Sequence, residues 1–361
     1  MNDVRPSLHP SVAAVRKAVR DALAASSART GGARVLDAQN QNQNQTENQE
    51  QTEIALGTAH ADVLVALSGG PDSLALAAAV AFEAPKLGIA VGAVIVDHGL
   101  QEGSADVAAR AAEQAKSLGL APVHIMTVEV ASDGGGGPEA AARDARYLAL
   151  DEARAAVGAH TVLLGHTLDD QAESVLLGLA RGSGAASLQG MAPTTGVLVR
   201  PMLGLRRTTT VEACAAQGLE PWTDPQNTDP AFTRVRVRET VLPTLERELG
   251  PGIAEALART AEALREDAWA FDEMIEEMIE EIVEHAEAGI AVSVGALAAN
   301  PAALRQRIIR YVVQSEFGVS LTRVQTIEVA RLVTDWRGQG PIDLPDCTAT
   351  RDGGLIVFSA R

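Results

Sequence analysis

The stretch VLVALSGGPDSLALAAAV, Val63–Val80, decides the fold. An apolar run of strand character breaks into Ser68-Gly69-Gly70-Pro71-Asp72-Ser73, and apolar residues then resume as a helix. A strand–loop–helix junction of this kind aims backbone N–H groups outward beside the positive end of a helix dipole. Glycines let an anion approach those groups without a Cβ in the way. Ser68 and Ser73 add hydroxyl donors. The composition is that of a phosphate-gripping loop, although G-x-x-x-x-G-K-[ST] occurs nowhere in the chain. Asp72 is foreign to a pure anion cradle. A carboxylate beside phosphates fits a role in holding Mg²⁺ or poising a metal-bound water.

Outward from the loop the pattern repeats. AVGAVIVDHG, PVHIMTVEV and TVLLGH read as strands; SADVAARAAEQAKSLG, PEAAARDARYLALDEARAAVG and LDDQAESVLLGLARG read as helices; VLVRPML is a candidate fifth strand. Short β-branched runs alternating with helices predict an α/β fold, a doubly wound and mostly parallel sheet. Ligands of such sheets sit outside the carboxyl ends of the strands. Polar clusters fall there, after Leu67, Val96 and Gly165. Before the sheet, Ser11–Ala25 reads as an amphipathic helix, and the polar tract Ala38–Glu53 as a disordered Gln/Asn-rich insertion. Beyond Thr240 the pattern turns helical, ending in a strand, an Asp-Gly-Gly turn and a strand. The expected division is therefore 1–60, 61–240 and 241–361.

The 361 residues suit two or three domains, and 46% hydrophobic residues allow a sizeable core. No run approaches the ~20 apolar residues of a membrane span. The opening MNDVRPSLHP lacks a signal-peptide plan, and Cys214 and Cys347 form no C-x-x-C pair, so a cytoplasmic enzyme is expected. The net charge of −17 speaks against a nucleic-acid partner until its distribution is seen. Asp267–Glu287 holds nine acids and no Lys or Arg, whereas RPMLGLRR and FTRVRVR are basic islands. Local patches, not net charge, meet phosphates.

The loop Ser68–Ser73 resembles the S-G-G-x-D-S loop of the N-type ATP pyrophosphatases, which implies a HUP-type, adenine nucleotide alpha-hydrolase-like fold. Asp97 and His98 in VDHGL resemble the V-D-H-G-L of tRNA(Ile)-lysidine synthetases and related tRNA thiolases, where they border the nucleoside of ATP. Arg143, Arg146 and Tyr147 resemble that family's A-R-x-x-R-Y, in which an arginine faces the phosphates or the activated base. GHTLDDQAESVL, with His166, Asp169, Asp170 and Glu173, resembles G-H-x-x-D-D-Q-A-E-T. Asp169, Asp170 and Glu173 share one helical face. Their crowding suits a cation: Mg²⁺, the ammonium of a lysine substrate, or both. RGSGAASLQGM, RPML and WTDPQNTDPAFTRVRVR extend the resemblance, with Gln226 and Val235 departing from the family's Ser and Asn. The matches run from Val63 to Arg238; the C-terminal module matches only in length and helical character, and the chain resembles a shorter version of the family.

The resemblance implies ATP and Mg²⁺ as cofactors, free L-lysine and CAU-anticodon tRNA(Ile) as partners, and a homodimer. It implies adenylation of the wobble cytidine followed by attack of the lysine amine. Asp72, Arg143, Asp169, Asp170 and Glu173 become the expected catalytic residues. Ser68, Gly69, Gly70, Pro71, Asp72, Ser73, Asp97, His98 and His166 become the expected ATP contacts, with Asp72 and Asp170 on Mg²⁺. Arg200, Arg206, Arg207, Arg234, Arg236 and Arg238 become the expected tRNA phosphate contacts, and the C-terminal module a tRNA-binding domain. Two alternatives stay open: a tRNA 2-thiolation enzyme of the same superfamily, and a non-catalytic ATP- and RNA-binding module.

Overall fold

A computed structural model describes residues 8–40, 60–99, 103–128, 138–182, 184–224, 228–286 and 289–361. Most of the Gln/Asn-rich tract, together with Gln226 and Asn227, lies outside them. The chain forms two compact units, Met1–Glu262 and Ala263–Arg361.

Unit 1 runs α1 (Pro10–Asn40), β1 (Val63–Ala66), α2 (Pro71–Glu83), β2 (Val91–Asp97), α3 (Ser104–Ser117), β3 (Val123–Thr127), α4 (Pro138–Ala156), β4 (Thr161–Leu163), α5 (Leu168–Arg181), α6 (Ala185–Leu188), β5 (Thr194–Thr195), β6 (Leu198–Val199), α7 (Arg207–Ala216), α8 (Thr233–Arg236) and α9 (Leu242–Leu249). A π-helical segment, Val237–Val241, joins the last two. The strand order is β3-β2-β1-β4-β6-β5, and among the described strands of this sheet only β5 is antiparallel to its neighbour. The expected doubly wound sheet is present. VLVRPML contributes only the short strand β6, and the alternating arginines of FTRVRVR lie on helical turns.

Both faces of the sheet are covered, which is why β1 reads as continuous apolar sequence. Val63, Val65 and Leu67 enter a cluster with α1, α2, α3 and α7 residues, while Leu64 and Ala66 enter another with Leu150 and Ala153 of α4. That is the period-two alternation of a strand. The chain leaves β1 in one direction towards β2 and β3, and later returns to lay β4 on its other side. The crevice between the ends of β1 and β4 is therefore the switch point at which such sheets bind ligands.

Helix α1 is part of this core. Val12, Val15, Val19 and Leu23 are buried among α2 and α7 residues. Arg20 donates to Glu83 on α2 at 3.1 and 3.3 Å, and Ser11 Oγ donates to Glu212 on α7 at 2.6 Å.

Unit 2 takes in the later part of α10 (Ile253–Ile282), then β7 (Val283–Ala286), β8 (Gly289–Ser293), α11 (Val294–Ala299), α12 (Ala302–Phe317), α13 (Arg323–Thr334), β9 (Ile342–Leu344), β10 (Cys347–Asp352) and β11 (Leu355–Ala360). It holds the expected helices and terminal hairpin, and its antiparallel sheet has the order β7-β8-β11-β10-β9. Ile356 and Phe358 bury one face of that sheet against Ile308, Val312 and Val329.

Leu23 is fully buried near the α1–α2–α7 junction. Leu23→Ala is expected to lower unfolding free energy by about 2–5 kcal/mol, the usual cost of such a cavity, measured by urea denaturation of the full chain.

Candidate active site

The loop after β1 is built by local hydrogen bonds. Gly69 adopts φ +83°, a conformation that a side chain would strain. Pro71 opens α2, where its missing N–H costs nothing. Ser73 Oγ accepts from the Ser68 N–H at 3.1 Å, donates to Gly70 O at 3.1 Å and lies 3.0 Å from Ser68 Oγ. Two distant segments hold this loop. Gly165, after β4, comes so close that a Cβ there would stand 3.0 Å from Ser73 N and Cα. The Trp222 N–H donates to Gly69 O at 2.9 Å.

A cavity of about 230 Å³ opens beside the loop at the carboxyl ends of β1 and β2, lined by Ser68, Asp97, His98, Arg146, Trp222 and Asp224 among others. Asp97 Oδ1 accepts from the Gly99 N–H at 3.0 Å, fixing the turn after β2. Burial lowers the His98 pKa, and Arg146 pushes the same way, so the ring is neutral near pH 7. Its Nδ1 is buried and has no hydrogen-bond partner among the described residues. Arg146, not Arg143, reaches this cavity. Arg143 is exposed and packs over the Tyr147 ring, 5.0 Å from its centroid.

Behind the loop lies the acidic cluster at the start of α5. Thr167 caps the helix, and its N–H and Oγ both donate to Asp170 Oδ2 at 2.8 Å. Asp169 Oδ2 accepts from the Arg207 N–H at 2.7 Å. Asp72 accepts from Arg207 Nε at 3.1 Å and from the Thr210 hydroxyl. Arg207 Nη2 donates to Asp170 Oδ1 at 2.6 Å. Glu173, fully buried, accepts from Arg238 Nε at 2.7 Å and Nη2 at 3.0 Å, with Arg234 Nε at 3.2 Å and Arg207 Nη1 at 3.5 Å.

These neighbours set the charges. Burial raises the Asp72 pKa further than Arg207 and Thr210 lower it. Burial acts on Asp170 too, but Arg207 and the two Thr167 bonds outweigh it and its pKa falls. Burial opposes the charge on Arg207, yet Asp170, Asp72 and Glu173 together raise its pKa. Nearby, burial first and then Arg146, Arg200 and Arg234 bring His166 down to about 4, against the pull of Asp170. His166 Nδ1 is buried and has no hydrogen-bond partner among the described residues.

The six basic-island arginines do not form the free phosphate-binding patch that the sequence suggests. Arg200 is buried, and its Nη1 donates to Ala192 O at 2.9 Å and Thr195 Oγ1 at 3.1 Å, so it braces the β5–β6 turn. Arg206 lies 3.6 Å from both Asp169 and Glu255. Arg207, Arg234 and Arg238 neutralise the acidic cluster. Arg236 alone of the six is exposed, folded onto Pro230 O and Ala231 O at 2.6 and 2.8 Å. A buried carboxylate left unpaired is costly, so without nucleotide Arg206, Arg207, Arg234 and Arg238 balance charge inside the protein.

A family model described as the PP-loop domain matches residues 38–245, and one described as the TilS substrate binding domain matches residues 293–356. The tRNA(Ile)-lysidine synthase of Leifsonia xyli subsp. xyli is 62% identical over 297 residues, covering 82% of this chain and 89% of that protein. The enzyme of the same name from Thermobifida fusca is 52% identical over 299 residues, covering 82% and 91%. The chain belongs to the tRNA(Ile)-lysidine synthase family. It is thus an ATP-using ligase with a PP-loop fold. Among solved structures, a U34-tRNA thiolase from Methanococcus maripaludis is similar over 58% of this chain and 73% of its own, at 18% identity and a TM-score of 0.47.

Within the described residues no three His, Cys, Asp or Glu side chains gather as a protein-only metal site. That does not conflict with Mg²⁺ chemistry in a lysidine synthase. Mg²⁺ at phosphates is held by one or two carboxylates, with phosphate oxygens and water completing the shell. Asp72 and Asp170, joined by one guanidinium beside the loop, fit that donor set. Sequence reading missed Thr210 and gave Trp222 and Asp224 no role. Thr210 lies on α7, remote from the loop in sequence, and no motif flags it; Trp222 and Asp224 stood inside the quoted WTDPQNTDP string.

Gly165→Ala is expected to push the Ser73 backbone and weaken ATP binding about tenfold or more, since small displacements at such sites are felt strongly; calorimetry with a nucleotide analogue checks it. The His166 pKa lies below its ordinary 6.5, so the unfolded chain takes up a proton that the folded chain refuses. The stability linked to this group is complete above about pH 6.5 and is lost as pH falls towards about 4. Thermal melts across that range should fall less steeply for His166→Gln than for the natural chain.

Proposed function

We propose that the chain ligates free L-lysine to C2 of the wobble cytidine of CAU-anticodon tRNA(Ile), using ATP and passing through an O2-adenylated cytidine. The C2 carbonyl of cytosine has no leaving group. Attack of its O2 on the α-phosphorus of ATP releases pyrophosphate and creates one. The lysine ε-amine then attacks C2, its proton is removed, and AMP departs. The observation that carries the reading is the junction of the phosphate loop and the acidic cluster: Asp72 of the loop and Asp170 of α5 meet on a single guanidinium.

The residues then divide the work. Ser68–Ser73 bind the triphosphate through backbone N–H groups and hydroxyls, as strand–loop–helix junctions do. The cavity beside Asp97, His98 and Arg146 takes the nucleoside. Asp72 would hold Mg²⁺, which offsets the negative charge of the phosphates when bound, and this leaves Asp170 to the amine. The amine arrives as an ammonium, with an ordinary pKa of ~10.4, and must lose a proton before it attacks. Asp169 and Asp170, each partly accessible, are suited to receive it. Glu173 is not, because it is sealed among Arg207, Arg234 and Arg238; it holds those arginines in place. The tRNA is a single-stranded anticodon loop at the reacting base, which lets the cytidine enter a pocket.

A sulfur-delivering reading is less well supported. The Cys214 thiol is buried, donates to Pro71 O at 3.3 Å, and is pushed up to about 11 by burial and by Asp72. A thiol so placed is structural and not a nucleophile.

The test is incubation of the full chain with ATP, labelled lysine and CAU-anticodon tRNA. Label should enter the tRNA with stoichiometric pyrophosphate. Asp72→Ala should reduce the rate at least roughly 100-fold, the scale of lost electrostatic stabilisation at a transferring group. Asp170→Asn should impair turnover or lysine affinity; full turnover with unchanged affinity removes Asp170 from the assignment.

A further inference from the structure

Arg207 touches Asp72 and all three acids of the α5 cluster. Its Nε lies 3.1 Å from Asp72, Nη2 2.6 Å from Asp170 and Nη1 3.5 Å from Glu173, while its N–H donates to Asp169 at 2.7 Å. Asp72 sits on α2 at the nucleotide loop; the other three sit on α5. The other arginines around the cluster do not make this bridge. Arg234 and Arg238 reach carboxylates of α5 only, and Arg206 pairs with Asp169, Glu246 and Glu255. A guanidinium offers five N–H groups in one rigid plane, so it can tie carboxylates of two elements together in a way a point-like ammonium cannot.

From this geometry we infer that Arg207 is a positioning residue that couples the two substrates, occupying Asp170 in the nucleotide-free enzyme and yielding it to the lysine ammonium once the triphosphate has entered. The inference rests on the lysine reading proposed above. Its physical basis is exchange of partners. Phosphate oxygens arriving beside Asp72 offer the guanidinium a bidentate, doubly charge-assisted alternative. When Nη2 turns from Asp170 to a phosphate oxygen, that carboxylate becomes available to another cation. A ligand shifts such an equilibrium only by interacting differently with the two arrangements, and the Asp72–Arg207–Asp170 bridge supplies that difference. Lysine binding before ATP is thereby disfavoured.

The test is calorimetric titration of L-lysine into the full chain, with and without Mg²⁺ and α,β-methylene ATP. The natural chain should bind lysine at least roughly fivefold more tightly with the nucleotide, the lower end of ordinary coupling between sites. Arg207→Gln should bind lysine without nucleotide, with the two affinities within about twofold of each other. Arg207→Lys keeps the charge but cannot span both carboxylates, so it should lose the coupling as well. Circular dichroism and thermal melts identify folded variants, and if Arg207→Gln fails to fold, Arg207→Lys carries the test. A folded Arg207 variant that keeps the full ratio overturns the inference. So does a natural chain that binds both ligands independently, which leaves the lysine reading intact. A natural chain that binds the nucleotide but lysine under neither condition removes both.

Discussion

The whole site depends on gathering four carboxylates around one guanidinium where a triphosphate must also be welcome. Alone, such a cluster would repel itself and its substrate. The protein resolves this with guanidinium groups drawn from a segment that follows the sheet. Arg207, Arg234 and Arg238 enter the spaces between Asp72, Asp170 and Glu173. Glu173, wholly buried, is the fixed anion on which those arginines are seated. The more accessible aspartates at the start of α5 are the ones left to exchange partners.

The sheet supplies the positions. Because β1 and β4 lie side by side, the loop after one and the helix cap after the other are adjacent without any long connection. Gly165 makes the approach possible, since the Ser73 backbone fills the space its side chain would need. The same arrangement brings both the cavity beside Asp97 and His98 and the acidic cluster next to Ser68–Ser73. The placing of these groups is thus a consequence of strand order.

Much of this was legible because it is local. The strand–loop–helix at Val63–Val80 announces itself through composition, and the acids of α5 announce themselves through spacing on one helical turn. The VDHGL and GHTLDDQAE strings lie at strand ends, where the fold requires them. What was not legible is pairing across distance. Arg207 and Arg238 meet their carboxylates across 37 and 65 residues. In one dimension they are simply unpaired positive charges, and they read as ligands for RNA. Arg200 reads the same way, although it is buried against backbone carbonyls. Arg143 and Arg146 are three apart on α4, and only packing decides that the second faces the cavity while the first stacks on Tyr147. In unit 2, β10 and β11 were visible through their turn, whereas β7, β8 and β9 are short and lack such a signal.

The bond from the Trp222 N–H to Gly69 O has a bearing on how the enzyme is made. Ribosomes deliver the chain from its N-terminus, so Ser68–Ser73 emerges long before Trp222, Arg207 and Thr210 are polymerised. A nascent polypeptide that already displays the glycine-rich turn still lacks the groups that brace it and balance its aspartate. The braced form of the turn therefore belongs to a late stage of synthesis, and a fragment cut ahead of Arg207 would carry the signature without its support.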